Sequence, residues 1–254
     1  MIARSRVAEQ RHSASRIPWT FPRRMLEDHL ALSGLLWLGL LVVVIAIAVG
    51  NAIWGSVGGS YWDDAVSSIP QWYVAFMAGF LAYSFLPALI AHGQTRREFG
   101  QQALIYSVVF SAALALLVII GFGVEAAVFA VMDWPHGIDG GHLFTSSGQV
   151  HLIFAEFLMR FLVWSSAGFL VGAGFYRSEE AGGGALAVAW IPVAITEMAL
   201  GTQYGSPIVL FRLVWEPPTI HPLIVLAIGV AAFAVTVWMA WKVVRDIPIR
   251  SKST

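Results

Sequence analysis

The chain of 254 residues contains no cysteine. That excludes disulfides, thiolate metal sites, iron–sulfur clusters and covalently attached c-type haem, and it leaves the redox compartment undefined. Charge is scarce too. Only 12% of residues are Asp, Glu, Lys or Arg, and the two signs cancel to a formal net charge of zero. No Gly-x-x-x-x-Gly-Lys-Ser/Thr phosphate loop occurs anywhere, so the chain has no such cradle for a nucleotide. What it has is apolar surface. Hydrophobic residues make up 58% and the mean hydropathy is +0.73, well above the apolar share of a soluble domain. This is the composition of an integral membrane protein, and because little of the sequence lies outside apolar runs and an N-terminal arm, one membrane domain and no soluble catalytic domain are expected.

Six apolar runs follow one another near Leu32–Ile53, Trp72–Ala91, Ala103–Met132, Val150–Phe175, Ala185–Leu200 and Pro222–Val243. Most approach or exceed the roughly 20 residues that cross a bilayer as a helix. The third is long enough to continue past the membrane, and the fifth is short and carries Pro192, which predicts a kink. Ahead of the first run lies a basic arm over 1–18 without apolar periodicity, expected to be disordered and cytoplasmic. From Trp19 to Leu30, Phe21, Met25, Leu26, His29 and Leu30 can share one helical face, which suits a helix lying on the inner membrane surface. A single transmembrane domain is expected over 19–246, followed by a cytoplasmic tail over 247–254.

Lys and Arg set the orientation. With the N-terminus inside, every basic residue except Arg160 and Arg212 falls in the arm, an inner connection or the tail, while Asp63, Asp64, Asp133 and Asp139 fall outside. Between the fifth and sixth runs, Tyr204 to His221 stays largely apolar although both flanks leave the membrane on the outer side. Ser206-Pro207 reads as a helix start and Glu216-Pro217-Pro218 as a stop. A helix of ~9 residues spans about 14 Å and cannot cross, so it either dips into the outer leaflet or packs on the bundle as an apolar loop. The expected fold is all-α and polytopic: six transmembrane helices, an N-terminal interfacial helix and short re-entrant outer helices between spans five and six.

The second connection, His92 to Gln102, is the polar stretch around which these spans are arranged. Thr95 and Glu98 stand in capping-box spacing, so a helix should start there. Gly93 and Gly100 bracket it and would let the chain turn along the surface and bend into the next span. Such a helix would expose Arg96, Arg97 and Phe99. Either it docks into a partner's groove with Phe99 as anchor, or it is a positively charged turn that holds topology.

With these parts in place the chain, over roughly Trp19 to Val243, resembles the ATP-binding-cassette exporter permeases of the type-2 class, with six spans per half. The likeness rests on the interfacial helix, the Gly-x-Thr-Arg-Arg-x-Phe segment at Gly93 to Phe99, and the re-entrant helices. It implies a permease subunit of an ATP-driven exporter in the cell membrane, with both termini cytoplasmic. Its helix at 94–101 would couple to a separate ATPase chain through Thr95, Arg96, Arg97, Glu98 and Phe99. ATP and Mg would sit on that ATPase subunit, and no cofactor is expected on this chain. A second permease copy or a related permease, and membrane lipid, are the other expected partners; nucleic acid is not one.

Besides Glu125 and Lys242, three charges lie within the apolar runs. Glu156 and Arg160 are spaced i, i+4 on the fourth, and Glu197 sits on the fifth. A charge near the bilayer centre costs on the order of 2.5–3.5 kcal/mol on insertion scales, so these three should face inward and pair. Counting ~1.5 Å per residue puts Glu156 and Glu197 at similar depth with Arg160 one turn deeper, within reach of either carboxylate. They are either a structural lock between spans or part of a substrate or proton pathway. Glu125 is expected at the outer interface. His136, Asp139, His142 and His151 are weighed as an outer metal site against a solvated Gly-rich loop, with no metal ligand assigned. Gly168, Gly172 and Gly174 form a small-residue face suited to close packing. The alternative function is a polytopic membrane enzyme or cofactor-binding protein using Glu156, Arg160 and Glu197, and a non-catalytic scaffold is a third.

Overall fold

The computed structural model describes residues 20–55, 57–91, 93–138, 141–201 and 220–247, and among them every regular element is helical. Six helices or helix groups are long and apolar enough to cross a membrane. The first is α1 (Thr20–Trp54). The second is assembled from α2 (Tyr61–Ser68), α3 (Pro70–Phe80), a π-helical turn (Leu81–Phe85) and α4 (Leu86–Ala91). Then come α5 (Arg96–Val131), α6 (Val150–Arg177), α7 (Glu179–Leu200) and α8 (Pro222–Arg245). The six apolar runs of the sequence map onto these one for one. The N-terminal arm, the Tyr204–His221 connection up to 219 and the tail beyond 247 lie outside the described residues.

Two boundaries differ from the sequence reading. Thr20 to Leu30, expected as a surface helix, runs without interruption into the first span. His29 packs inward there, its Nδ1 lying 2.5 Å from the Tyr106 hydroxyl of α5. Gly100 does not bend the chain either, because α5 is a single helix of 36 residues that begins at Arg96. At ~1.5 Å per residue it is about 54 Å long, so at least one end must stand clear of a ~30 Å hydrocarbon core. The turn is made at Gly93 instead, where φ is +85° and glycine escapes the Cβ clash.

Helix α6 is the centre of the bundle. Of its most apolar stretch 67% is buried, against 44% or less for any other span, and it packs on α3, α5, α7 and α8. The approach to α3 is closest at Gly168 and Gly172, where an added Cβ would lie 2.0 Å from the Ala75 carbonyl oxygen and 2.1 Å from that of Gly79. Without the driving force of water exclusion, such backbone-to-backbone contact is how spans gain dispersion energy. Gly174 faces a different neighbour, α7, near Ala181 and Ala185. The small-residue face therefore splits between two partners. Ser178 ends α6 and caps α7, its Oγ accepting from Ala181 N at 3.0 Å, which makes a tight hairpin. Helix α7 continues through Pro192, so the missing N–H does not end it.

In the second span the π turn comes just before Pro87. A proline ring in a regular α-helix presses on the carbonyl four residues earlier, here Tyr83, and widening the turn relieves that contact. At the other end of this span Trp62 packs directly on Gly121 of α5, and its indole N–H donates to Val118 O at 3.0 Å.

Candidate functional site

Two polar regions stand at opposite ends of the bundle. At the end carrying the acidic connections, the loop between α5 and α6 folds back into the helices rather than lying in solvent. Phe144 is buried against Phe122 and Phe157, at ring separations of 5.6 and 6.4 Å. It brings His142 in with it. His142 Nε2 lies 3.0 Å from Asp63 Oδ1 on α2, and Nδ1 lies 2.7 Å from Glu156 Oε1 on α6. The Leu143 backbone N–H donates to Glu156 Oε2 at 2.8 Å. Burial opposes a charge on the imidazole. The hydrogen bonds to Asp63 and Glu156, with their negative charges, outweigh it and raise the pKa to about 9. His142 is therefore cationic at neutral pH and donates to both carboxylates.

The chain of charges continues inward. Arg160, with no exposed side-chain surface, has Nη2 3.5 Å from Glu156 Oε1 and Nε 3.3 Å from Glu197 Oε1. The pairing expected from depth counting is present, and Arg160 serves both carboxylates at once. Its guanidinium also stands 5.2 Å from the Phe157 ring centre. None of its nitrogens forms a well-directed hydrogen bond among the described residues, so charge attraction and the ring face hold it. Glu197 Oε1 accepts from the Trp164 indole at 2.8 Å, and Trp164 packs edge-to-face on Trp72 and Trp190. Those three rings border an apolar groove of about 590 Å³ between the second, fourth and fifth spans.

Glu125, near the acidic end of α5, is buried within the bundle. It accepts from the Ser60 hydroxyl, from Trp62 N at 2.8 Å, and faces His136 Nε2 at 3.2 Å, so its carboxylate serves the exposed N–H groups at the start of α2. The histidines of this loop consequently do not converge. His136 is held by Glu125, His142 by Asp63 and Glu156, and His151 is exposed; Asp139 lies outside the described residues. Among the described residues no group of three or more His, Asp or Glu side chains is placed to hold a metal ion.

The opposite end carries the segment singled out in the second connection. The capping box at Thr95 and Glu98 is complete: Glu98 N donates to Thr95 Oγ1 at 3.2 Å and Thr95 N to Glu98 Oε2 at 2.8 Å. Arg97 is exposed. Arg96 turns inward, its Nη2 donating to the Ile247 carbonyl at 2.8 Å, which ties the start of α5 to the chain just past α8. Phe99 is the correction. It is 1% exposed and stacks on Phe169 of α6 at 5.9 Å, so it anchors α5 to this chain's own core rather than offering a knob to a partner. The reason is that α5 begins at Arg96 without a surface-parallel segment, which points the side chain four residues beyond the cap into the bundle.

His142, Asp63 and Phe144 were not picked out by sequence as members of one site. Ser60 and Asp63, three apart before an apolar run, carried the signal that a helix starts there, and an aromatic in a Gly-rich loop is the signal that the loop is anchored. No protein family, curated protein or solved structure matches the chain.

Proposed function

We propose that this chain is the membrane-spanning permease subunit of an ATP-driven exporter, working with a second permease copy or a related permease and with separate ATPase subunits that bind ATP and Mg. The basic end faces the cytoplasm of the cell, both termini lie there, and the ATPase docks on it. The observation that carries this reading is the start of α5. A capped helix begins at the surface with Arg97 exposed, is braced to the end of α8 through Arg96 and Ile247, and runs unbroken to the acidic end. A push on Thr95 to Glu98 is thereby delivered to the whole third span, with no flexible joint to absorb it. Phe99 contributes by fixing α5 to α6, so that the fourth span moves with the third.

The enzyme reading has less behind it. Glu156, Arg160 and Glu197 are engaged with one another, and none of them lines the aromatic groove. The test is reconstitution with the candidate ATPase. Arg97→Glu should leave the thermal stability of the permease unchanged and lower complex formation and transport at least fivefold, consistent with loss of a charged contact of about 1 kcal/mol. Unimpaired assembly and transport in that variant, or specific ATP hydrolysis by the rigorously pure chain alone, would overturn it.

A further inference from the structure

A cleft of about 360 Å³ opens between α5, α6 and α8 at the basic end. Its α5 wall is one helical face, Arg97, Gly100, Gln101, Leu104 and Ser107, descending from a cation at the surface to apolar and small residues below. Phe233, Val237 and Trp241 of α8 form the opposite wall, and Trp241 lies so close over Gly100 that a Cβ there would meet its ring at 2.9 Å. The cleft is thus mainly apolar in depth, with only the Ser107 and Ser166 hydroxyls there, charged only at its mouth, and of a size that takes ligands.

The charge at the mouth is free. Arg97 has no hydrogen bond or ion pair among the described residues, while the adjacent Glu98 is occupied by the Thr95 cap and Asp246 by Arg245 at 3.1 Å. Arg96 is turned away toward Ile247. An unpartnered cation at the mouth of an apolar slot between membrane-spanning helices matches one chemistry, an anionic head on a long apolar tail. We infer that the cleft holds an acyl chain of an anionic phospholipid, with the phosphate on Arg97 and Gln101 beside it. Gln101 is exposed one helical turn below Arg97 on the same face and offers an amide donor to a phosphate oxygen. The lipid would lie across the seam between α5 and α8, filling space that the protein's own side chains leave open.

Arg97 serves both readings, but this site is tested on the permease chain alone with no ATPase present, so it stands or falls apart from the exporter reading. The delipidated protein in neutral detergent is titrated with phosphatidylglycerol and, separately, with phosphatidylcholine of the same acyl chains, and the bound lipid is read by native mass spectrometry. Phosphatidylglycerol should be retained about fivefold more tightly, the preference one interfacial Arg provides. Arg97→Gln should remove that preference while leaving phosphatidylcholine retention as it was. Val237→Trp, which fills the slot without touching the charge, should lower retention of both lipids. Equal retention of the two lipids by the wild-type protein would overturn the inference, as would a preference that survives Arg97→Gln or retention indifferent to Val237→Trp. Stabilisation by inorganic phosphate matching that by phosphatidylglycerol would also overturn it, since the tail would then contribute nothing.

Discussion

Arg160 holds two carboxylates in a setting where a lone charge is costly, and that sets the sign of its mutational effects. Arg160→Met alone removes the cation between Glu156 and Glu197, leaving Glu156 to His142 and Glu197 to the Trp164 N–H, and the expected loss is about 3 kcal/mol. Adding Glu197→Gln should return much of it, because the double neutral pair removes a charge of each sign. The measurement is a double-mutant cycle on thermal stability in detergent, repeated with Glu156→Gln. Strict additivity in both backgrounds would mean that the 3.3 Å contact carries no energy. His142 gives a pH signature at the same site. Its folded pKa of about 9 exceeds the ordinary value near 6.5, so its contribution to stability is complete below pH ~6.5 and is lost as pH rises through about 9. Melting temperature should fall between pH 7 and 10 in the wild type and show a flatter profile in His142→Gln.

Among the elements, α5 and α6 carry the sharpest consequences. Phe99→Ala should destabilise the permease itself by about 3 kcal/mol, since it empties a buried ring position against Phe169. A docking anchor would instead have left the isolated chain unaffected. Gly172→Leu should do more damage than Gly183→Leu when both are followed by thermal melting, because a Cβ at 172 would fall 2.1 Å from a backbone oxygen whereas none lies within 4 Å at 183. The spans, the capping box and the Arg160 pairing were legible in sequence because each depends on local spacing or on depth along a helix. The burial of Phe99, Glu125 and His142 was not. Those depend on where a helix bends and how a loop folds back, and Gly100 signals a bend that tertiary packing against Trp241 overrides.

For the whole molecule, the gathering of Lys and Arg at one end of the bundle predicts a single arrangement in the bilayer. The cysteine-free chain makes this directly testable, since any introduced thiol is the only one present. Ser146→Cys and Lys242→Cys, both exposed, should react with an impermeant maleimide from opposite faces of sealed vesicles, with Lys242→Cys on the cytoplasmic face. Labelling of both from one face would reject the six-span topology.

The wide turn at Leu81–Phe85 also bears on how this chain tolerates changes in length. Five residues at roughly 4.4 per turn lag a regular helix by about a quarter turn. That lag lets Leu86 and Leu89 stay on the buried side already used by Val74, Met77 and Leu81. Four residues in ordinary α geometry rotate about as far, so the segment holds one surplus residue. Deleting Ser84, with Pro87→Ala to spare the straightened backbone a ring clash, should leave a folded protein with its downstream side chains in phase. The same excision at Val118, inside the uninterrupted α5, has no slack to draw on and would swing every later side chain of that helix by about 100°. The second span is thus where a lineage could gain or lose a residue without rebuilding the bundle.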